Sequence, residues 1–485
     1  MERKLLVVFA LTFLVIMLFQ PLLKKYGPQP PAKPESSQAP PVQNQAQLPS
    51  QAPMQLPAAP SASAKKKAPA SAPLQAASES ETVIENDVYR IVFTNRGGRV
   101  RSWVLKKYTD DKGGPLELVN SAAAEKYGSP LTLWTYDETL RNQLNAALYV
   151  ATSSGSTAPA EIKFAYDGAG LSVEKTFKFD RDSYVVAVRT AVEVQGAQVP
   201  AFPMWPSGFG DNTTGPQYAA GQIMYQYDNK VERLAIKKIS GGGTLPGPFH
   251  WAGVSDQYFA AVFLPQDPQN AVMVTLHNAI EIPHNASDAN NKQMDKVDVL
   301  GAAVGNLKGS TDTRLYVGPK ALSDLEAVPV PGITGAEPDL RAVVDFGWLG
   351  IIARPLFLWL KWMYNHIIAN WGWAILLQTL VINLALLPLR ITQMKSMLKM
   401  QRVQPQIKAI QEKYKKYSLR DPRKAEMNQE VSALYKKEGV NPAGGCLPLL
   451  IQMPFLFAYY RMLNVAMDLR HAPWLWVHDL SAPDP

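Results

Sequence analysis

Cysteine is nearly absent from this chain: 485 residues contain one, Cys446. A single thiol excludes an intrachain disulfide and any cysteine-based zinc site, so whatever faces an oxidising compartment is held by its core alone. Histidine is scarce too. The six residues, at 250, 277, 284, 366, 471 and 478, form no HExxH pair. "GGGTLPG" (241–247) lacks the Lys-Ser/Thr of a phosphate-binding loop and reads as a flexible β connection. His277, Glu281 and His284 have the chemistry of ligands or acid/base groups; the plainer reading is a loop with incidental histidines. With no ATPase or peptidase signature and no cofactor or metal-ligand spacing, the chain is not expected to be an enzyme.

Charge is also sparse, at 19% of residues, and unevenly placed. Residues 390–437 hold thirteen Lys/Arg against four Asp/Glu, a local +9 that leaves about −1 for the rest of a chain whose net charge is +8. The basicity therefore belongs to one segment and does not indicate general or specific DNA binding. Hydrophobic residues make up 47% of the chain and mean hydropathy is −0.12, so most of it is expected to be water-soluble, with a sizeable core.

The texture changes along the chain. A charged start and the apolar run "LLVVFALTFLVIMLFQPLL" (5–23), with no small-x-small cleavage pattern after it, predict an uncleaved signal anchor over 1–26. Residues 27–80 hold twelve of the 39 prolines among Ala, Ser and Gln, which predicts a disordered tether. Its coil-like reach is roughly 40 Å. Over 81–335, period-2 runs such as "EIKFAYD" (161–167) and "SYVVAVRTAVEV" (183–194) predict an all-β domain of sandwich type. The Trp-rich segment 345–368, interrupted by Arg354, Pro355 and Lys361, predicts an amphipathic helix in a membrane interface, or else a helix packed on the β domain.

Two apolar stretches, 371–389 and 446–466, are close to the ~20 residues needed to span a bilayer. Between them lies the basic segment 390–440, which the positive-inside rule puts in the cytoplasm. Met397, Met400, Val403, Ile407, Ile410 and Tyr414, then Met427, Val431 and Leu434, recur at helical spacing on either side of 418–422. They predict a helical hairpin with its cations outward, bent at Pro405.

Within "QTLVINLALLPLR" (378–390), Thr379, Asn383 and Arg390 stand at i, i+4 and i+11 of one helix, and the second stretch offers Gln452 and Tyr459 at i and i+7. Buried amides of this kind either join helices by hydrogen bonds or line a hydrated groove. Residue chemistry alone leaves both readings open.

"NPAGGCLPLLIQMPFLFAYYRML" (441–463), "VQPQIKAI" (403–410), "DFGWLGIIARPLFLWLKWMYNHIIANWGW" (345–373) and "HDLSAPDP" (478–485) closely resemble the bacterial YidC/Oxa/Alb family of membrane protein insertases. "TNRGGRV" (94–100), "DQYFAAVFLP" (256–265) and "RLYVGP" (314–319) resemble that family's periplasmic domain. The resemblance implies a multi-domain integral membrane protein of the bacterial inner membrane. It would have an α-helical transmembrane core, a large periplasmic β-supersandwich and a cytoplasmic helical hairpin. It further implies insertion of nascent membrane proteins through a hydrophilic groove, alone or with the Sec translocon (SecYEG, SecDF), and partners that include the ribosome and membrane lipids.

On that resemblance the substrate groove would comprise Thr379, Asn383, Arg390, Gln452, Met453, Pro454 and Tyr459. The hairpin contacts would be Lys395, Lys399, Lys413, Lys415, Lys416, Arg420, Arg423 and Lys424. Two departures stand out. Asn383 occupies the position where the family usually carries a groove arginine, with Arg390 about 10.5 Å further along the axis. The family also continues through further transmembrane helices, so residues 467–485 would begin a periplasmic loop and 1–485 would be an incomplete insertase. The alternative is a membrane-anchored periplasmic β-sandwich that binds or acts on carbohydrate.

Overall fold

The computed structural model describes residues 73–284, 293–333, 339–417, 421–440 and 447–481. The expected signal anchor, most of the tether, Arg420, Cys446 and the end of the 467–485 loop lie outside the described residues.

Alternation of apolar and polar residues builds three antiparallel sheets over 81–319. The largest has ten strands and runs from edge strand Lys230–Leu234 to edge strand Val150–Ser153. In its strand Ala160–Gly168 the inward residues Ile162 and Phe164 are fully buried, and in Val185–Val194 so are Val186, Val188 and Val192. This is the face that period-2 reading assigns to the core. A four-stranded sheet (Glu81–Glu85, Tyr89–Thr94, Arg99–Thr109, Pro115–Glu117) covers one part of it, with Phe93 packed on Phe164 and Phe177 at ring-centroid distances of 5.8 and 5.2 Å. A five-stranded sheet, dominated by the hairpin Ala271–Pro283/Met294–Asn306, covers another part. Trp103 and Trp205, edge to face at 5.8 Å, join the two smaller sheets into a common core.

One cation sits inside this core. The turn "NRGG" gives Gly97 and Gly98 positive φ (71° and 50°), and their carbonyls, with that of Leu131, accept hydrogen bonds from the Lys175 ammonium at 2.9, 2.6 and 2.6 Å. Lys175 is fully buried. Three acceptors use all three ammonium N–H groups, while burial disfavours the charge and pulls its pKa down to about 7.

Five longer helices follow: α1 (Gly350–His366), α2 (Trp371–Ala385), α3 (Leu387–Lys413), α4 (Arg423–Lys437) and α5 (Leu447–Val465). Leu349, Ala353, Phe357, Leu360 and Met363 form the buried stripe of α1, continuous with the β-domain core and with Ala458 and Met462 of α5. The helix expected to lie in a membrane interface is thus also a core helix. Its other side is apolar as well, with Trp348 and Ile351 about 85% exposed and Leu358 and Trp362 half exposed.

Among the described residues no single helix is long and apolar enough to cross a membrane; α2 and α3 together pass that test but are bent by 55°. The 371–389 stretch, expected as one helix, is therefore two. Pro388 has no N–H for the carbonyl four residues back, Leu384, and its ring crowds that carbonyl, whereas near the start of a helix it is tolerated. The bend also corrects the expected alignment of Thr379, Asn383 and Arg390, because Arg390 lies beyond it, exposed on α3. Pro405, expected to bend the hairpin's first helix, lies inside α3, which runs on to Lys413.

The distal half of α3 pairs with α4 through Val403, Ile407 and Val440, with Met400, Val431 and Leu434 alongside. Met397, expected in that seam, is half exposed, because α4 ends at Lys437 and its turn closes on Val440, nearer Val403.

Ion pairs fasten the helices to the β domain. Arg461 of α5 donates to the Asp345 carboxylate at 2.9 Å and to its backbone carbonyl at 3.1 Å, and Arg233 of the large sheet approaches the same carboxylate at 3.9 Å. Burial raises the pKa of this carboxyl, but Arg233, the Gly347 N–H and Arg461 together hold it below its usual range.

Two outcomes follow for the intact protein. Lys175→Met strands three buried carbonyls and should cost about 3–5 kcal/mol in urea unfolding. The unfolded chain keeps that lysine's proton up to its ordinary value of 10.5 while the folded chain releases it near 7, so wild-type stability should rise with pH across this window and the variant's should not. Arg461→Met should cost about 1 kcal/mol, its side chain being partly exposed. It should also speed hydrogen exchange at the Gly347 amide, which Asp345 holds.

Candidate functional site

Helix α2 begins where Asn370 caps it, its side-chain oxygen accepting from the Trp373 N–H at 3.1 Å. From that start, Gly372, Ala374 and Gln378 face inward, and Trp373, Leu376, Leu380 and Leu384 stand outward, each about half exposed. Gln378 has no exposed surface. Its Nε2 donates to the Leu356 carbonyl of α1 at 2.8 Å, and its Oε1 accepts from the Tyr459 hydroxyl of α5 at 3.2 Å. Thr379 Oγ1 lies 3.5 Å from the same hydroxyl. Helix α5 packs chiefly on α1, so α2 reaches it through these long side chains, and a polar seam runs where two apolar helices face each other.

The remaining expected groove residues lie along this seam or beyond it. Asn383, one turn nearer the bend, donates from Nδ2 to the Thr379 carbonyl of its own helix at 2.8 Å. Gln452 stands two turns from Tyr459 on α5, about 10.5 Å along the axis. Its Nε2 is buried with no hydrogen-bond acceptor among the described residues. Met453 and Pro454 are partly exposed, and Phe455, Leu456 and Phe457 beyond them are about half exposed. The structure thus brings Thr379 and Tyr459 together and leaves Asn383 on its own backbone.

Gln378 was missed as a site residue. The available signal was its place four residues after Ala374, on the face opposite Leu376 and Leu380, which makes it the amide that points into the helix cluster.

The hairpin carries its cations outward. Lys395, Lys399 and Lys415 are exposed, and Lys424 is partly so. Lys413 pairs with Glu430 at 2.9 Å, a bond that holds its pKa above the ordinary value, and lies over the Tyr414 ring. Lys416 and Arg423 both lie over Tyr417, at 5.3 and 4.0 Å from the ring centroid, and Arg423 also pairs with Asp421 at 3.1 Å. Cations stacked on aromatic faces are part of this basic surface. Elsewhere, His277 bonds the Ile239 carbonyl and, across the long hairpin, Asp298, and His284 bonds Asp295 at the hairpin's end. Among the described residues no group of three or more His, Cys, Asp or Glu is placed to hold a metal.

Comparison with known proteins gives this geometry its family. Residues 81–359 match the family described as the YidC periplasmic domain, and residues 362–485 match the 60Kd inner membrane protein family. A membrane protein insertase YidC of Bordetella avium is 30% identical over 422 residues, covering 84% of this chain and 71% of the relative. One from Ralstonia nicotianae is 32% identical over 424 residues, covering 85% and 72%. A crystal structure of an active YidC insertase overlaps 84% of this chain and 78% of its own at 19% identity and a TM-score of 0.28. A galactose mutarotase-like protein from Lactobacillus casei overlaps 50% of this chain at 10% identity and a TM-score of 0.32. Neither overlap is close enough to bear on function. Sequence kinship across both the sheets and the helices is, and by it the chain belongs to the YidC family of membrane protein insertases.

Proposed function

We propose that this chain inserts nascent membrane proteins into the bacterial inner membrane and assists their folding, with the seam between α2 and α5 as the inner wall of a hydrophilic groove. The observation that carries this reading is the pairing of two surfaces. Leu376, Leu380, Leu384 and Phe455–Phe457 are outward and apolar, as lipid requires, while Gln378, Thr379, Tyr459 and Gln452 are polar between the helices.

Moving an unsatisfied amide into hydrocarbon costs roughly 2–7 kcal/mol, and this is the barrier that an inserting segment meets with every polar group it carries. A seam of hydroxyls and amides lowers it by offering exchangeable partners. Tyr459 already shares one hydroxyl between Gln378 and Thr379, and the Gln452 amide has a donor to spare. Met453 and Pro454, partly exposed on the same helix, are the substrate contacts in this reading. Asn383 keeps the groove wet, and Arg390 with the hairpin supplies the positive charge. No covalent bond changes, and the gain comes from a shorter path through hydrocarbon.

In this arrangement the transmembrane core comprises the 371–389 and 446–466 stretches, the β domain is periplasmic and the hairpin cytoplasmic, as its +9 charge favours. The hairpin's basic surface suits the ribosome and anionic headgroups. Action beside the Sec translocon (SecYEG, SecDF) belongs to the same reading.

A photo-crosslinking residue at Thr379 or Gln452 should capture a ribosome-stalled nascent membrane protein, and one at lipid-facing Leu376 should not. Equal capture from all three, or from none in a folded and inserted protein, would return these residues to helix joining. Asn383→Leu should lower insertion of substrates with charged translocated segments several-fold, and unchanged insertion would remove Asn383 from the groove.

A further inference from the structure

After α5 the chain runs back over the β domain, and "APWLWV" (472–477) is an uncharged stretch between polar residues that tie it down. Arg470 donates to the Thr109 carbonyl at 2.9 Å. The His471 ring bonds the Thr109 hydroxyl at 3.1 Å and Asp111 at 3.3 Å, while its backbone N–H donates to Asp479 at 3.0 Å. Trp474 and Val477 exchange two backbone hydrogen bonds at 2.9 Å each and close a turn whose tip is Leu475 and Trp476.

That tip is 62% and 72% exposed. The chain is able to bury tryptophan, since Trp103, Trp205 and Trp251 are wholly inside the β domain, so a rigid turn that holds Leu and Trp outward presents a surface.

The turn's position indicates what covers it. The Trp474 ring is wedged on Gly372 in the first turn of α2, so closely that a Cβ there would meet it at 2.1 Å. It also meets Trp373 edge to face at 5.8 Å and Trp476 at 6.1 Å. Trp476, Trp474 and Trp373 therefore extend the outward apolar surface of Leu376, Leu380 and Leu384 past the end of α2 without an intervening charge. Indole rings at the end of an apolar helix favour the level of lipid headgroups.

We propose that the Pro473–Val477 turn is a membrane foot: Leu475 and Trp476 seat in the headgroup–acyl boundary of the leaflet on the β-domain side. The foot fixes the height of the β domain above the bilayer. This proposal rests on the membrane reading of α2 given above.

The test places an environment-sensitive fluorophore on single cysteines in the full-length chain carrying Cys446→Ser. The protein is reconstituted in phosphatidylethanolamine–phosphatidylglycerol vesicles that contain doxyl lipids, with the quencher either near the headgroup or near the bilayer centre. Leu475→Cys reports the foot. Leu380→Cys reports the outward face of α2, and exposed Thr152→Cys reports the opposite edge of the large sheet. The expected result is loss of emission at 475 with the shallow quencher, at 380 with the deep one, and at 152 with neither.

Quenching at 380 with none at 475 overturns the foot and leaves the membrane reading intact. Quenching at neither position overturns both. A label at 475 that is blue-shifted but unquenched means that protein, such as a second copy, covers the tip, and the foot is again overturned. Deep quenching at 475 does the same, by placing the turn inside the hydrocarbon.

Discussion

A glutamine side chain with no exposed surface bridges three helices of this protein. Gln378 has one donor pair and one acceptor, and it uses them on different helices, α1 through the Leu356 carbonyl and α5 through Tyr459. In an apolar surrounding such an amide is a costly residue unless both ends are engaged, so the three helices are constrained to the positions where they are. The Thr379–Tyr459 contact, the spare donor of Gln452 and the apolar outer face of α2 all take their places relative to it. The same bonds that join the helices line the seam between them.

The β domain is tied to this cluster at several points spaced along α1, α5 and the segment that follows. Arg461 shares Asp345 with Arg233 of the large sheet, Lys361 donates to the Ser323 hydroxyl at 3.5 Å, and Gln257 donates to the Asn464 carbonyl at 3.3 Å. Together with the apolar core shared by α1 and the sheets, they make the β domain and the helix cluster one continuous packing unit rather than two bodies on a linker. The basic hairpin stands apart from this unit. It has its own small core, and α3 leaves α2 at a 55° bend where Pro388 interrupts the hydrogen-bond ladder.

Much of this was legible in local pattern. Alternation over 161–167 and 183–194 assigns Ile162, Phe164, Val186 and Val188 to a core face, because a strand's side chains have a period of two whatever the strand pairs with. The hairpin seam at Val403 and Ile407 was readable from helical spacing for the same reason. Legibility failed where a residue's role depends on a partner far along the chain. Lys175 reads as an ordinary strand lysine until Gly97, Gly98 and Leu131 are brought around it. Asn383 reads as the groove amide, yet it is satisfied within its own helix while Gln378 bridges two others.

The all-β region, the apolar stretches, the concentration of positive charge and the family are all matters of periodicity, composition or aligned motif, and local sequence carries them. Which polar atoms meet, where the apolar stretch bends, and the closure of Arg461 on Asp345 across 116 residues come from the folded chain. Those outcomes depend on distances between side chains that no local repeat encodes, and a displacement of about one ångström separates a hydrogen bond from an unsatisfied buried group.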